Sequence, residues 1–130
     1  MELNDQLLNE LAGKALASER RRMNLDLRTS ADDQSQRMLN ALEPDTVLPI
    51  HRHTKSTEVV VILRGRMDEI FYDDQRREIA RYHLDPAKGV YGLSIPLGQW
   101  HGIEVFEPTV ILECKDGPYE PLKPEDVLEK

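Results

Sequence analysis

The stretch Pro49-Ile50-His51-Arg52-His53-Thr54-Lys55-Ser56-Thr57-Glu58-Val59-Val60-Val61-Ile62-Leu63-Arg64-Gly65 decides the reading of this chain. His51 and His53 are two residues apart, so on a strand they face the same way. Their Cα atoms then lie roughly 6–7 Å apart, from a rise of about 3.3 Å per residue. Two imidazoles at that spacing can converge on one ion. Glu58 follows a polar turn and opens the apolar run Val59 to Leu63, which reads as a buried strand. A lone carboxylate at the mouth of such a run is costly to bury, and a cation would offset that cost. A third histidine, His101, stands in Pro96-Leu97-Gly98-Gln99-Trp100-His101.

Short strands surround this stretch. Met23, Leu25 and Leu27 alternate with Asn24, Asp26 and Arg28, the period of a half-buried strand. A polar stretch from Ser30 to Gln36 precedes a second strand at about residues 38–42. Further strands are expected at about residues 47–53, 58–64, 67–72, 78–84, 92–95, 101–106 and 109–115. Gly65, Asp73-Asp74, Asp85-Pro86, Pro96-Leu97-Gly98 and Glu107-Pro108 supply the turns between them. Many short strands at regular spacing indicate an all-β sandwich or barrel. Before them, Leu3, Leu7, Leu8, Leu11, Ala12 and Ala15 fall on one helical face, with Asn4 or Asp5 able to cap its start. The expected organisation is an N-terminal helix in residues 1–20, a β domain in 21–120 and a tail in 121–130 that wraps the surface or frays.

Composition bounds the function. The chain has 130 residues, a single-domain length, with 39% hydrophobic and 32% charged residues and a net charge of −7. Such an acidic balance argues against nucleic acid as a partner. Cys114 is the sole cysteine, so no intramolecular disulfide forms; it reads as a buried, inert thiol in a reducing compartment. No apolar run is long enough to span a membrane and no secretory leader pattern stands at the start, so a cytoplasmic location is expected.

Imidazole and carboxylate donors without thiolate argue against a closed structural zinc site and suit one divalent transition metal (Zn, Fe, Mn, Ni or Co) with open positions. A bare His-x-His is commonly surface decoration, and His83 reads as an ordinary surface histidine. The set His51, His53, Glu58 and His101 carries more, because it falls into two spaced motifs. The first has the form G-x5-H-x-H-x4-E-x6-G, matched by His51, His53, Glu58 and Gly65 with Asp45 in place of the first glycine. The second has the form G-x5-P-x-G-x2-H-x3-N, matched by Pro96, Gly98 and His101 with Val90 and Val105 replacing its ends.

Those motifs resemble the cupin superfamily, which implies an RmlC-like jelly-roll β-barrel with the four residues as metal ligands. The segments Arg22-Met23-Asn24-Leu25, Gln36 to Leu42, Pro49 to His53, Ile95-Pro96 with Trp100-His101, and Glu113 to Tyr119 also resemble the cupin-fold metalloproteins of the WbuC family over nearly the whole chain. That resemblance implies a setting in O-antigen and other polysaccharide gene clusters. The function it suggests is action on a sugar or nucleotide-sugar, most plausibly as an isomerase or epimerase. The alternatives are a non-catalytic, metal-anchored sugar-binding or accessory protein, and an iron-dependent dioxygenase.

Around the metal, Arg22, Asn24 and Arg28 share the face opposite Met23, Leu25 and Leu27; if that face lines the cavity, the arginines would bind a carboxylate or phosphate. Otherwise they face water. Arg37 and Asn40 carry the same two readings. Glu113 and Lys115 either pair with each other structurally or offer a catalytic acid or base near the metal. Tyr91 and Trp100 flank the Pro-Leu-Gly turn and either stack on a sugar ring or belong to the core. Bare sheet edges and the leucine face of the helix suggest a homodimer.

Overall fold

Along residues 58–64 the side chains alternate: Glu58, Val60 and Ile62 are buried, whereas Val59 and Leu63 are exposed. A continuous apolar run thus behaves as a one-sided strand. The reason lies in what covers the sheet, and it emerges from the order of the elements. The computed structural model describes residues 1–128. It holds a helix α1 (Asp5–Ala17) and ten strands: β1 (Arg22–Asp26), β2 (Ser35–Leu42), β3 (Ile50–His51), β4 (Glu58–Arg64), β5 (Met67–Tyr72), β6 (Glu78–Leu84), β7 (Gly92–Ile95), β8 (Trp100–Val105), β9 (Thr109–Asp116) and β10 (Val127–Leu128).

The strands form two five-stranded sheets, ordered β1-β2-β9-β4-β7 and β10-β3-β8-β5-β6, and every pairing is antiparallel. This is the jelly-roll arrangement of an all-β chain with an N-terminal helix. The inner faces of both sheets enclose one core: Leu42, Val60, Ile62 and Ile111 from the first, Met67, Phe71, Leu84 and Val105 from the second. A second core lies on the outer face of the first sheet. There Leu8, Leu11 and Ala15 of α1 pack on Leu39, Ala41 and Val110, with Met23, Leu25 and Leu27 around them.

The helix therefore buries its leucine face on β1, β2 and β9, and that face needs no second subunit. It does not reach over β4 and β7, which leaves Val59 and Leu63 open. Asn4 caps the helix, accepting from the Leu7 N–H at 3.0 Å. Arg64 ties the sheet to the first turns of the helix through Asn9 and Asp5. No helix among the described residues is long and apolar enough to cross a membrane.

Several boundaries differ from the sequence expectation, three of them for a plain local reason. β1 stops at Asp26 because its carboxylate accepts from both the backbone N–H and the guanidinium of Arg28, which turns the chain. β2 begins at Ser35, inside the polar stretch, because Gln36 faces inward and donates to the carbonyls of Gly117 and Pro118. β3 is only Ile50–His51, because Pro49 has no N–H to give a ladder. The tail is also structured: β10 pairs with β3, Arg52 N–H donates to Asp126 O, and the Arg52 guanidinium pairs with the Asp126 carboxylate at 3.0 Å. Of the tail assigned to residues 121–130, Glu129 and Lys130 lie outside the described residues.

Candidate metal centre

Strand register brings the histidines together. His51 on β3 lies directly across from His101 on β8. His53 follows two residues after His51, and its carbonyl accepts from the N–H of Gly98 at 2.8 Å. Gly98 holds φ +77, the left-handed conformation that the Pro96–Gly98 turn requires. The second motif thus latches onto the first through one backbone hydrogen bond. Ring centroids lie 4.3 Å apart for His51 and His101, 5.1 Å for His51 and His53, and 5.7 Å for His53 and His101. One ring nitrogen from each histidine lies within 4.8 Å of the others.

Two of the rings are oriented from behind. Nδ1 of His51 lies 3.0 Å from Pro49 O, and Nδ1 of His101 lies 2.9 Å from Gln99 O. A carbonyl only accepts, so each Nδ1 carries the proton and each Nε2 presents a lone pair. Glu58 enters from the opposite sheet. Its Oε1 stands 3.5 Å from His53 Nε2 and 3.5 Å from His101 Nε2. Glu58 Oε1 and His53 Nε2 are both buried without a hydrogen-bond partner. The Nε2 lone pair of His101 and the Glu58 carboxylate therefore face each other beside the unpartnered Nε2 of His53, an arrangement that a cation would satisfy. Ligands of one ion held at about 2.0–2.2 Å stand about 3–4 Å apart, so the spacing fits.

The electrostatics agree. Burial is the main cause that lowers His51, to about 4, with the neighbouring His101 adding to it. His53 is likewise lowered to about 4, by burial and then by the Lys115 charge. Both rings are neutral at pH 7, as metal ligation needs. Burial works against ionisation of Glu58, but His101, Lys115 and His53 outweigh it and hold the carboxyl below the usual carboxylate range.

The other expected site residues divide. A cavity of about 440 Å³ runs along the open side of the sandwich, and its walls include His51, His53, Arg22, Asn24 and Lys115. In the β2–β9–β4 register, Lys115 shares the inward row of Glu58 and Gln36, and Glu113 the next row with Val60 and Met38. Lys115 Nζ lies 4.0 Å from Glu113 Oε2. Asn40 faces inward one row deeper, across from Ile111, and its Oδ1 is buried without a partner. Burial and the negative charge of Glu58 push the Glu113 carboxyl upward.

Arg28 and Arg37 are not in the cavity. Arg28 is held by Asp26 at 2.8 Å and lies over the Tyr119 ring, while Arg37 pairs with Asp33 at 2.8 Å on the outer side of β2. Both line a separate, smaller groove of about 280 Å³. Tyr91 is also elsewhere. It precedes β7, its carbonyl accepts from the Ile62 N–H, and its ring is 62% exposed away from the cavity. Trp100 is buried, with the Arg52 guanidinium 4.4 Å above its ring. His83 is solvent-facing yet not idle: its Nδ1 lies 2.6 Å from the buried Asp68, which Arg81 also neutralises.

Sequence reasoning missed Glu69. It sits on β5 opposite Ile103, faces the barrel interior between Met67 and Phe71, and is 3% exposed with Oε2 lacking a partner. The period-two alternation of Met67, Glu69 and Phe71 was the signal that could have placed it inside. Burial, then the charges of Glu58 and Glu113, raise its carboxyl well above the ordinary 4.5. The folded chain thus keeps the proton that the unfolded chain releases above that value, so folding stability falls as pH rises. Glu69→Gln removes this drain. The variant is expected to gain on the parent by up to about 1.4 kcal/mol per pH unit above the unfolded carboxyl range. Urea unfolding at pH 5, 6 and 7 checks it, and a stability difference independent of pH would refute it.

Comparison with known proteins places the fold. The chain is similar to CapF of Staphylococcus aureus, a capsular polysaccharide assembling protein (20% identity, 85% of this chain and 32% of that chain, TM-score 0.68). It is also similar to a cupin 2 domain-containing protein from Halorhodospira halophila (18% identity, 78% and 68% covered, TM-score 0.62). A third relative in fold is the oxalate decarboxylase of Lactobacillus farciminis, solved with formate (16% identity, 78% and 30% covered, TM-score 0.62). The chain spans about a third of the length of CapF. No curated protein matches it. These likenesses establish the cupin fold, and because residues 3–84 match its family model, the chain belongs to the family described as Domain of unknown function (DUF6016).

Proposed function

We propose that this chain is a metal-binding cupin of bacterial polysaccharide metabolism that acts on a sugar or nucleotide-sugar as an isomerase or epimerase. One observation carries the reading: ring nitrogens of His51, His53 and His101 cluster, with the Glu58 carboxylate 3.5 Å from two of them, beside a cavity of about 440 Å³. That volume suits a small ligand. The substrate class is supported by the likeness to CapF, whose description is capsular polysaccharide assembly, and by the resemblance to the WbuC family.

The donor set suits Zn, Fe, Mn, Ni or Co. A metal held there supplies a Lewis acid to adjacent substrate oxygens. The chain's own residues do the rest. The Nδ1 hydrogen bonds of His51 and His101 hold the two rings in place. Glu113, inward-facing one row from Glu58, takes a proton from a carbon of the substrate and returns it. Lys115, beside it, balances the charge of that carboxylate. Arg22 and Asn24 orient the substrate from the first strand. The same proposal includes a cytoplasmic homodimer, checked by light scattering on a sizing column.

The test is deuterium exchange. The purified chain, loaded in turn with each metal, is incubated in D2O with sugars and nucleotide-sugars of polysaccharide pathways and followed by NMR. Deuterium is expected at one carbon of the true substrate, only with metal present, and at least 100-fold more slowly in Glu113→Gln. Tight binding without exchange or conversion overturns the isomerase reading in favour of a binding protein. Oxygen uptake with Fe(II) overturns it in favour of a dioxygenase.

A further inference from the structure

The cavity carries a charge opposite to that of the chain. Its walls hold six Lys or Arg side chains against two carboxylates, Glu120 and Asp126, in a chain whose net charge is −7. Lys123 has no ion pair among the described residues, and near the histidines the other cations are matched: Arg52 to Asp126 at 3.0 Å, Lys55 to Glu120 at 3.3 Å, and Lys115 to Glu113 at 4.0 Å. At the other end they are not. Arg22 stands across from Leu42 on β2, six residues from Gln36, which pairs with Lys115. Six residues of strand span about 20 Å.

Among the described residues neither Arg20 nor Arg22 is ion-paired. The Arg22 guanidinium donates only to neutral oxygens, Val47 O at 3.0 Å and Thr46 Oγ1 at 3.5 Å. Burial and the nearby charge of Arg20 both disfavour the Arg22 cation. Two guanidiniums that repel each other at the wall of a cavity are stabilised by an oxyanion, which the planar fork of arginine binds in bidentate fashion. A low-dielectric cleft lined by one sign of charge also concentrates ligands of the other sign.

We propose that the cavity takes an elongated sugar ligand bearing an oxyanion, a phosphate or a carboxylate, which docks at Arg22 and Arg20 while the sugar reaches the histidines. This rests on the sugar reading of the histidine end. It narrows the substrate from any sugar to one extended by an anionic group.

Calorimetry on the full chain tests it with three probes: inorganic pyrophosphate, glucuronate and glucose. Pyrophosphate or glucuronate is expected to bind, and whichever binds identifies the phosphate or the carboxylate. Affinity is expected to fall at least tenfold in Arg22→Gln, to recover in part in Arg22→Lys, and to weaken from 50 to about 300 mM salt. Arg20→Gln alters an exposed side chain with no structural bond, so a loss there of a few-fold supports the site even if Arg22→Gln fails to fold. The proposal is overturned if neither oxyanion binds, or if binding is the same in Arg22→Gln and Arg20→Gln. Repeating the titration on chelated protein separates the two readings. Oxyanion binding that survives while the chain takes up no metal sinks only the metal-dependent function, and metal uptake without oxyanion binding sinks only this inference.

Discussion

Replacing His101 by Ala is expected to strip the chain of bound metal, from about one ion per chain to background. His101 is 3% exposed and stands across from His51, so the vacated volume cannot be refilled by a nearby donor. Loss of a residue that merely orients a ligand costs about 10–100-fold in affinity. Loss of a ligand itself is expected to cost at least 100-fold. His53→Ala should act in the same direction, and His83→Ala, on the outer face of the sheet that carries His101, should keep the full complement. Elemental analysis after purification with added metal reads all three. Chelator should also lower the melting temperature of the parent but not of His101→Ala, because an ion at a thousand times its Kd stabilises the fold by about 4 kcal/mol. Full metal content in a combined His53→Ala, His101→Ala variant would remove the site from these residues.

The three-histidine cluster was readable because its chemistry lies in spacing. His51 and His53 share a strand face, and the Pro96–Gly98 turn delivers His101, so short-range geometry carries the information. The departures from the two motifs are also explained. Neither Asp45 nor Val90 takes a left-handed conformation, so neither position needs glycine; Gly89 supplies the positive φ beside Val90, and Asp45 pairs with Arg21 instead. Val105 is simply buried in the barrel core.

The pocket was harder to read because orientation depends on long-range register. Arg22 and Arg28 fall in the same alternation in sequence, yet one opens β1 and lines the cavity while the other lies beyond its end, captured by Asp26 two residues away. Tyr91 sits near the Pro-Leu-Gly turn in sequence but lies just before β7, the edge strand of the sheet opposite His101. The tail was unreadable for a related reason. Val127–Leu128 has no pattern of its own and becomes a strand only because β3 offers an edge. Its consequence is functional: residues 118–123 wall the cavity, and Asp126 holds the arginine that sits between the two histidines.

Gly65→Ala is expected to damage the fold severely, and Gly98→Ala is its control. Both glycines take left-handed backbone, φ +93 and φ +77. Left-handed strain alone costs an L-residue about 1–2 kcal/mol. The difference is space. A Cβ on Gly98 meets nothing within 4 Å, whereas one on Gly65 would lie 2.3 Å from Thr109 Oγ1 and 2.5 Å from Pro108 O. The Thr109 hydroxyl cannot swing aside cheaply, because it donates to the Glu107 carbonyl and accepts from the Arg66 N–H. Thr109 also starts the strand that pairs with β2 and β4, so backbone movement there would disturb the centre of the first sheet. Overpacking adds about 1–3 kcal/mol to the strain. The expected loss for Gly65→Ala is therefore about 2–5 kcal/mol, a large share of the 5–15 kcal/mol that folded domains have. For Gly98→Ala it is about 1–2 kcal/mol. Urea denaturation of the two variants decides the matter: equal midpoints would mean that the Gly65 contact with the β8–β9 turn is not a constraint on the fold.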